Sequence, residues 1–238
     1  MTQFEMTPQT AFSPAAAATA ERVTAFLRKV YGWMFVGLGV TAAVAVGVAG
    51  SPALVQSIAT NSILFFALAI GQLGLVFFLS ARVAKLAPTT AAALFLVYSA
   101  LNGVLFSFIF LAYTGTSITT TFLVAAGMFG ALALYGTTTK RSLAGVGQFV
   151  FMGLIGLILA SLVGIFVKSQ GLQFVISVVG VIVFTGLTAY DTQKLKHYAL
   201  MAEGDRVTNF AVIGALALYL DFINLFLMIL RLMGGRRD

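Results

Sequence analysis

The chain has 238 residues, of which 60% are hydrophobic and only 9% are charged. Soluble globular domains contain about 45–50% apolar and about 25% charged residues, so this composition excludes an ordinary soluble protein. Disorder is excluded as well, because it needs low hydrophobicity and high charge. The absence of cysteine rules out disulfides and thiol chemistry. The net charge of +7 comes from basic residues in loops and tails, and it does not indicate nucleic-acid binding.

The beginning of the chain is predicted to form a flexible cytoplasmic tail, residues 1–21, followed by a single membrane domain, residues 22–238. The tail is polar and rich in alanine, and it lacks the apolar run behind a basic start that defines a signal peptide. Arg22, Arg28 and Lys29 then precede the first apolar segment.

Seven apolar segments follow, each long enough to cross about 30 Å of hydrocarbon as a helix. They lie at about 30–49, 62–81, 90–112, 118–135, 146–167, 172–190 and 211–230. Barrel strands alternate polar and apolar residues, whereas these segments are apolar throughout. All four prolines lie in the tail or in predicted loops, so unbroken helices are expected. The predicted fold class is an all-α polytopic membrane protein with seven transmembrane helices.

The distribution of Lys and Arg predicts a cytoplasmic N-terminus. Ten basic residues lie on the side that holds the N-terminus, and the loops on the other side contain only Lys168. Seven spans place Arg231, Arg236 and Arg237 on that other side, against the positive-inside rule. Either the C-terminal tail is an exception to the rule, or one segment is re-entrant and the C-terminus is cytoplasmic. We expect seven full spans.

Two acidic residues lie within reach of the membrane interior. Asp191 ends the sixth segment in the run FTGLTAYDTQKLK, and Asp221 lies near the middle of the seventh in ALALYLDFINLF. An aspartate at a helix centre costs about 2.5–3.5 kcal/mol on insertion scales, so Asp221 is expected to face the bundle interior. Asn224 shares the helical face of Asp221, and Thr188 shares that of Asp191.

Contact between Asp191 and Asp221 requires the sixth helix to continue past Tyr190, or the seventh to begin later than Ala211. Two close carboxylates in a low dielectric share a proton and titrate as a unit. The protonated pair can join two helices, and the ionised pair attracts a cation, which together form a physical basis for a pH-gated cation path. The simpler alternative is that each aspartate pairs with a basic residue such as Arg82, or extends to the surface.

Enzymatic activity is not expected. The single histidine, His197, follows Lys196 in a predicted loop, and the patterns HExxH and GxxxxGK[ST] are absent. No predicted span holds a histidine that can activate a serine, and the seventh has no lysine for a retinal Schiff base. No cofactor is therefore predicted.

The sequence around the two aspartates resembles the Bax inhibitor family, the transmembrane Bax inhibitor motif proteins, and its bacterial members. The resemblance is carried by TGLTAYDTQKLKH (185–197) and ALALYLDFINLFLMILRLMG (215–234), and YSALNGVLFSFIF (98–110) is similar to the family's third helix. It extends over about Arg22 to Gly234 and is looser over the first two helices.

This resemblance implies a fold in which the seventh helix is central and surrounded by the other six. It implies a pH-responsive calcium leak in which aspartates that match Asp191 and Asp221 form a dyad, and an arginine that ends the second helix acts as a latch. Arg82 matches that arginine, and Lys85 is the alternative, depending on the alignment around Pro88. The segment MAEGDR makes the loop between the aspartates longer than in the family.

The predicted function is a pH-sensitive cation channel of the cytoplasmic membrane that leaks Ca²⁺ and is gated by the aspartate pair. Calcium prefers six to eight oxygen ligands, so Asp191 and Asp221, supported by Asn224 and Thr188, are expected to form only a transient calcium site. One alternative is a non-transporting regulator that binds a membrane-embedded quality-control protease or other membrane partners. Another is a proton-coupled carrier. A monomer in the lipid bilayer is the predicted state.

Overall fold

The computed structural model describes residues 14–202, 204, 206–235 and 237, and this part of the chain is almost entirely helical. Seven of its helical segments are long and apolar enough to cross a membrane. The predicted all-α polytopic class is therefore confirmed. The predicted tail residues 1–13 lie outside the described residues, as do Glu203, Asp205, Arg236 and Asp238.

The helices follow one another with short connections. They are α1 (Pro14–Ala49), α2 (Pro52–Thr60), α3 (Ser62–Arg82), α4 (Pro88–Phe106), α5 (Ile109–Ala112), α6 (Gly115–Thr138), α7 (Ala144–Phe166), α8 (Gln170–Met201) and α9 (Arg206–Met233). One turn of 3₁₀ helix, Val83–Lys85, leads from α3 towards α4. Helices α4 and α5 together make the third span.

Helix α9 is the centre of the bundle, as predicted. In the apolar 18-residue stretch of α9, 72% of the residues are buried. In the corresponding stretch of α3 only 6% are buried, so α3 faces outward. Helices α1, α4, α6 and α8 pack around α9. The chain therefore buries its last helix and exposes apolar side chains of the others, which is the arrangement that a lipid surrounding requires.

Helix α8 is longer than its predicted segment and continues past Tyr190 to Met201. The extension is held by packing, because Leu195 and Ala199, one turn apart, are each 1% exposed. His197, predicted in a loop, is an exposed residue of this helix. The extension places Asp191 inside a helix, which meets the condition for contact with the next one.

Helix α1 begins before the end of the predicted tail, so residues 14–21 are helical where a flexible segment was expected. The guanidinium of Arg22 donates a hydrogen bond of 2.6 Å to the carbonyl of Ala202, just after α8. The start of the first helix is thereby attached to the end of the sixth span.

Two helix boundaries differ from the sequence pattern for local reasons. Helix α2 lies where a loop was expected, and Pro52 and Pro88 occupy the first turns of α2 and α4, where a missing N–H breaks no helical bond. The third span, predicted as unbroken, is interrupted at Ser107. The buried Ser107 hydroxyl donates to the carbonyl of Val104 at 2.7 Å, and such local bonds compete with the helical ladder.

Glycine allows α6 and α8 to approach each other closely beside Asp191. A Cβ atom built on Gly136 would overlap the backbone carbonyl of Ala189, which has no freedom to move away. Gly130, on the same helix, has nothing within 4 Å of such an atom.

We expect Gly136→Ala to destabilise the protein by about 1–3 kcal/mol, because the added methyl group overpacks a helix–helix contact. Gly130→Ala is the matched control and is not expected to destabilise the protein, because Ala is favoured over Gly in a helix interior by about 0.5–1 kcal/mol. Thermal unfolding in detergent measures both variants. Equal unfolding temperatures for Gly136→Ala and the wild type would show that the two helices are not held at this distance.

Candidate functional site

A cavity of about 670 Å³ lies between α7, α8, α9 and the end of α3. Asp191 of α8 and Asp221 of α9 both line it, although thirty positions of sequence separate them. The polar residues around this central cavity are Ser80, Gln148, Tyr190, Asp191, Lys194, Tyr198, Asp221 and Asn224. The helices thus bring the two acidic residues singled out from the sequence to one place.

Asp221 is the most deeply buried acidic group among the described residues. Its side chain is 5% exposed, and its Oδ2 atom is buried without a hydrogen-bond partner. An unpartnered carboxylate oxygen at membrane depth costs several kcal/mol on general grounds, so it needs a proton, a water molecule or a cation. Its position in a cavity gives access to all three.

Asp191 is half-buried and lies close enough to Asp221 for the two carboxyl groups to interact electrostatically. At about 1.5 Å per residue, Asp191 lies about 15 Å from Met201 and Asp221 about 22 Å from Arg206, so both lie well inside their helices. A helix that ended at Tyr190 would have placed Asp191 at a helix end and Asp221 deep within its own helix. Because α8 continues past Tyr190, the two aspartates do not differ in depth in this way.

The structure brings one of the two predicted supporting residues to the cavity. Asn224 lines it, and its Nδ2 donates to the carbonyl of Leu220 at 2.8 Å, which leaves the amide oxygen for other partners. Thr188 is fully buried and does not line the cavity. Its hydroxyl donates to the carbonyl of Phe184 at 2.8 Å within α8. Its contribution is therefore to its own helix.

Arg82 lies at the exposed end of α3, and no hydrogen bond or ion pair joins it to Asp191 or Asp221. Its neighbours Ser80 and Val83 line the cavity. A cation that does line it is Lys194, one turn after Asp191, with its Nζ 5.6 Å from the centre of the Tyr198 ring. The spacing of three residues between Asp191 and Lys194 is the sequence signal that indicates this neighbour.

A second buried polar cluster, which the sequence analysis missed, lies on the other side of α9. The hydroxyl of Tyr219 is 2.6 Å from that of Thr41, and either oxygen can be the donor. The single hydroxyl proton of Thr41 also has the carbonyls of Ser99 and Gly37 within reach, at 2.9 Å and 3.0 Å. Nearby, Gln72 donates to Asn102 at 2.6 Å. These bonds join α1, α3, α4 and α9, so we assign this cluster to the packing of the bundle.

The central cavity has only two carboxylates, which is a low ligand charge for a tight calcium site. Among the described residues, no group of three or more acidic, histidine or cysteine side chains converges. The other side-chain oxygens of the cavity, such as those of Asn224 and Gln148, are neutral. The donor set fits brief occupancy by a partly hydrated cation better than storage.

Seven spans, one of them a buried central helix with an acidic cavity beside it, define a multi-pass membrane protein with a candidate ion-binding interior. The family model described as "Inhibitor of apoptosis-promoting Bax1" matches residues 23–238. The chain belongs to this family, the Bax inhibitor family, which confirms the resemblance seen in the closing helices.

Curated relatives cover nearly the whole chain. The inner membrane protein YbhL of Escherichia coli K12 is 51% identical over 215 residues, which are 89% of this chain and 92% of the relative. A protein of Borreliella burgdorferi is 46% identical over 90% of this chain and 93% of its own length. A protein of Deinococcus radiodurans is 42% identical, with coverage of 92% and 94%.

Single-cysteine variants can test whether the central cavity holds water, because the chain has no cysteine of its own. Ala217 lines the cavity, and the next residue, Leu218, is 0% exposed. We expect a small hydrophilic thiol reagent to modify Ala217→Cys and to leave Leu218→Cys unmodified in the folded protein. Mass spectrometry measures the extent of modification. Equal modification of the two variants would contradict a hydrated cavity.

Proposed function

We propose that the protein is a cation leak channel of the cytoplasmic membrane that conducts Ca²⁺ and responds to pH through Asp191 and Asp221. The observation that supports this proposal most is the Asp221 carboxyl group, buried within a central helix and open to a cavity without a partner for its Oδ2. Intramembrane ionisable groups are expensive, and those that persist mark ion or proton pathways. Membership of the Bax inhibitor family agrees with this function.

The two carboxyl groups supply both attraction and control. When both are ionised, their charges concentrate a cation in the cavity; when they hold protons, this attraction is lost. Lys194, which lies beside Asp191 and interacts with it electrostatically, competes with a cation for that carboxylate. Arg82 is the proposed latch, acting in a state of the protein in which the end of α3 lies closer to Asp191.

Calcium flux into dye-loaded proteoliposomes, measured from acidic to mildly alkaline pH, tests the proposal. We expect wild-type flux to vary with pH and Asp221→Asn to flatten this variation, because the amide does not titrate. Glu21→Gln is the matched control, since it removes a carboxylate from the exposed start of α1. Unchanged flux and an unchanged pH response in Asp221→Asn would refute a role for the pair in gating.

The second candidate function is a non-transporting regulator that binds a membrane-embedded protease or another membrane partner. The exposed start of α1, residues 17–21, favours it, because these side chains lie at the surface. If calcium flux does not exceed that of empty liposomes at any pH, the channel function is refuted and this second function is favoured. Deletion of residues 2–20 should then abolish the effect on the partner.

The proposed location has a cytoplasmic N-terminus and therefore places the α7–α8 connection on the opposite side of the membrane. We expect an impermeant thiol reagent to modify Ser169→Cys, in that connection, in intact spheroplasts. Ser142→Cys, in the α6–α7 connection, should react only after permeabilisation; both serines are exposed. The reverse pattern would show the opposite orientation.

A further inference from the structure

A second polar cavity, of about 620 Å³, lies at the end of the bundle where α9 finishes. It is far from Asp191, since it opens between the α7–α8 connection and the last turn of α9. Its polar lining residues are Tyr113, Lys168, Ser169, Gln170, Gln173, Ser177 and Arg231. No acidic residue is among the described residues that line it, so this terminal cavity is basic.

A mainly apolar cavity of about 550 Å³, which shares Leu154, Phe184 and Asn224 with the central cavity, adjoins the terminal cavity. The two share Gly164, Gln173 and Arg231 in their linings, so they meet at these residues. The side chains of α7 that line the adjoining cavity are aliphatic, with Ser161 as the exception: Leu154, Leu157, Ile158, Leu162 and Ile165. A basic polar space therefore continues into an apolar one along the surface of α7.

The two cations of the terminal cavity, Lys168 and Arg231, lie on the predicted non-cytoplasmic side, where the positive-inside rule does not account for basic residues. Arg237, at the same end, has a structural role, because its guanidinium donates to the carbonyl of Phe110 at 2.9 Å and its backbone N–H donates to that of Ala112 at 3.1 Å. Lys168 and Arg231 form no hydrogen bond or ion pair with the described residues. One cation from the α7–α8 connection and one from α9 thus line the same cavity, and neither has a partner among the described residues.

We propose that the terminal and adjoining cavities together bind one anionic phospholipid from the leaflet at this end of the bundle. Arg231 and Lys168 hold the phosphate, since a guanidinium pairs with two phosphate oxygens and an ammonium adds a point charge. Ser169 and Gln173 offer further hydrogen-bond donors. One acyl chain lies in the aliphatic cavity along α7, where it covers apolar surface.

The shape of the site distinguishes a lipid from a free phosphate ion, which shares the same charged chemistry. A free ion uses only the basic part and leaves the aliphatic cavity without an occupant. Basic pockets between transmembrane helices are known sites for lipid head groups. This inference does not depend on the proposed channel function, because Lys168 and Arg231, which hold the phosphate, line the terminal cavity and not the central one.

Native mass spectrometry of the detergent-solubilised protein, titrated with phosphatidylglycerol, phosphatidylcholine or inorganic phosphate, tests the site. We expect one phosphatidylglycerol to be retained in preference to phosphatidylcholine. Losing one charge should weaken phosphatidylglycerol binding about fivefold, and Lys168→Gln with Arg231→Gln should weaken it about 30-fold. Arg231→Lys, which keeps the charge but loses the paired contact, should weaken binding less than Arg231→Gln does. Arg237→Gln is the matched control, and it should bind as the wild type does.

Gly164→Leu distinguishes binding of a lipid phosphate from binding of free inorganic phosphate, because it fills the junction between the terminal and adjoining cavities. We expect it to weaken phosphatidylglycerol binding far more than binding of inorganic phosphate, because it blocks the acyl chain and in the basic part displaces only the Gln173 amide, 3.1 Å from the added Cβ. Phosphate bound as tightly as the lipid, with Gly164→Leu harmless to both, would overturn the lipid assignment in favour of a free anion. Equal binding of both lipids, unchanged in the double variant, would overturn the site altogether. Thermal unfolding confirms that each variant is folded.

Discussion

Helix α9 is surrounded by other helices, so each of its polar side chains must find a partner inside the bundle or face a cavity. Tyr219 and Asp221 are two positions apart and therefore point to nearly opposite sides of the helix. Tyr219 finds Thr41 and joins α9 to α1 and α4. Asp221 faces a space between α7, α8 and α9. One side of the central helix thus packs against its neighbours, and the other lines a cavity.

The cavity side of α9 changes character along its length. Asp221 and Asn224 line the central cavity, Met228 lines the aliphatic one, and Arg231 lies where that cavity meets the basic terminal one. These residues recur at intervals of three or four, so they follow a single stripe of the helix. A negative, an apolar and a positive section therefore succeed one another beside α7 and α8.

The spans and the position of Asp191 and Asp221 on neighbouring helices were predictable, because both depend on composition and on the cost of a charge in lipid. The extension of α8 was not, since it is stabilised by burial of residues such as Leu195 against other helices. Thr188 illustrates a second limit. The position of Thr188 on a helical face predicts the side of the helix to which its hydroxyl points. It does not predict that the hydroxyl donates its hydrogen bond to a backbone carbonyl of the same helix. The break at Ser107 has the same origin.

Helix α8 has 32 residues, which at about 1.5 Å each make a rod of about 48 Å. This exceeds the roughly 30 Å of bilayer hydrocarbon, so α8 either tilts strongly or extends into the interface. A rigid rod of this length amplifies small rotations: a 10° swing about one end moves the other by about 8 Å. Because Arg22 is bonded to Ala202, just past the tip of the rod, the start of α1 and this end of α8 can move only together while the bond is kept.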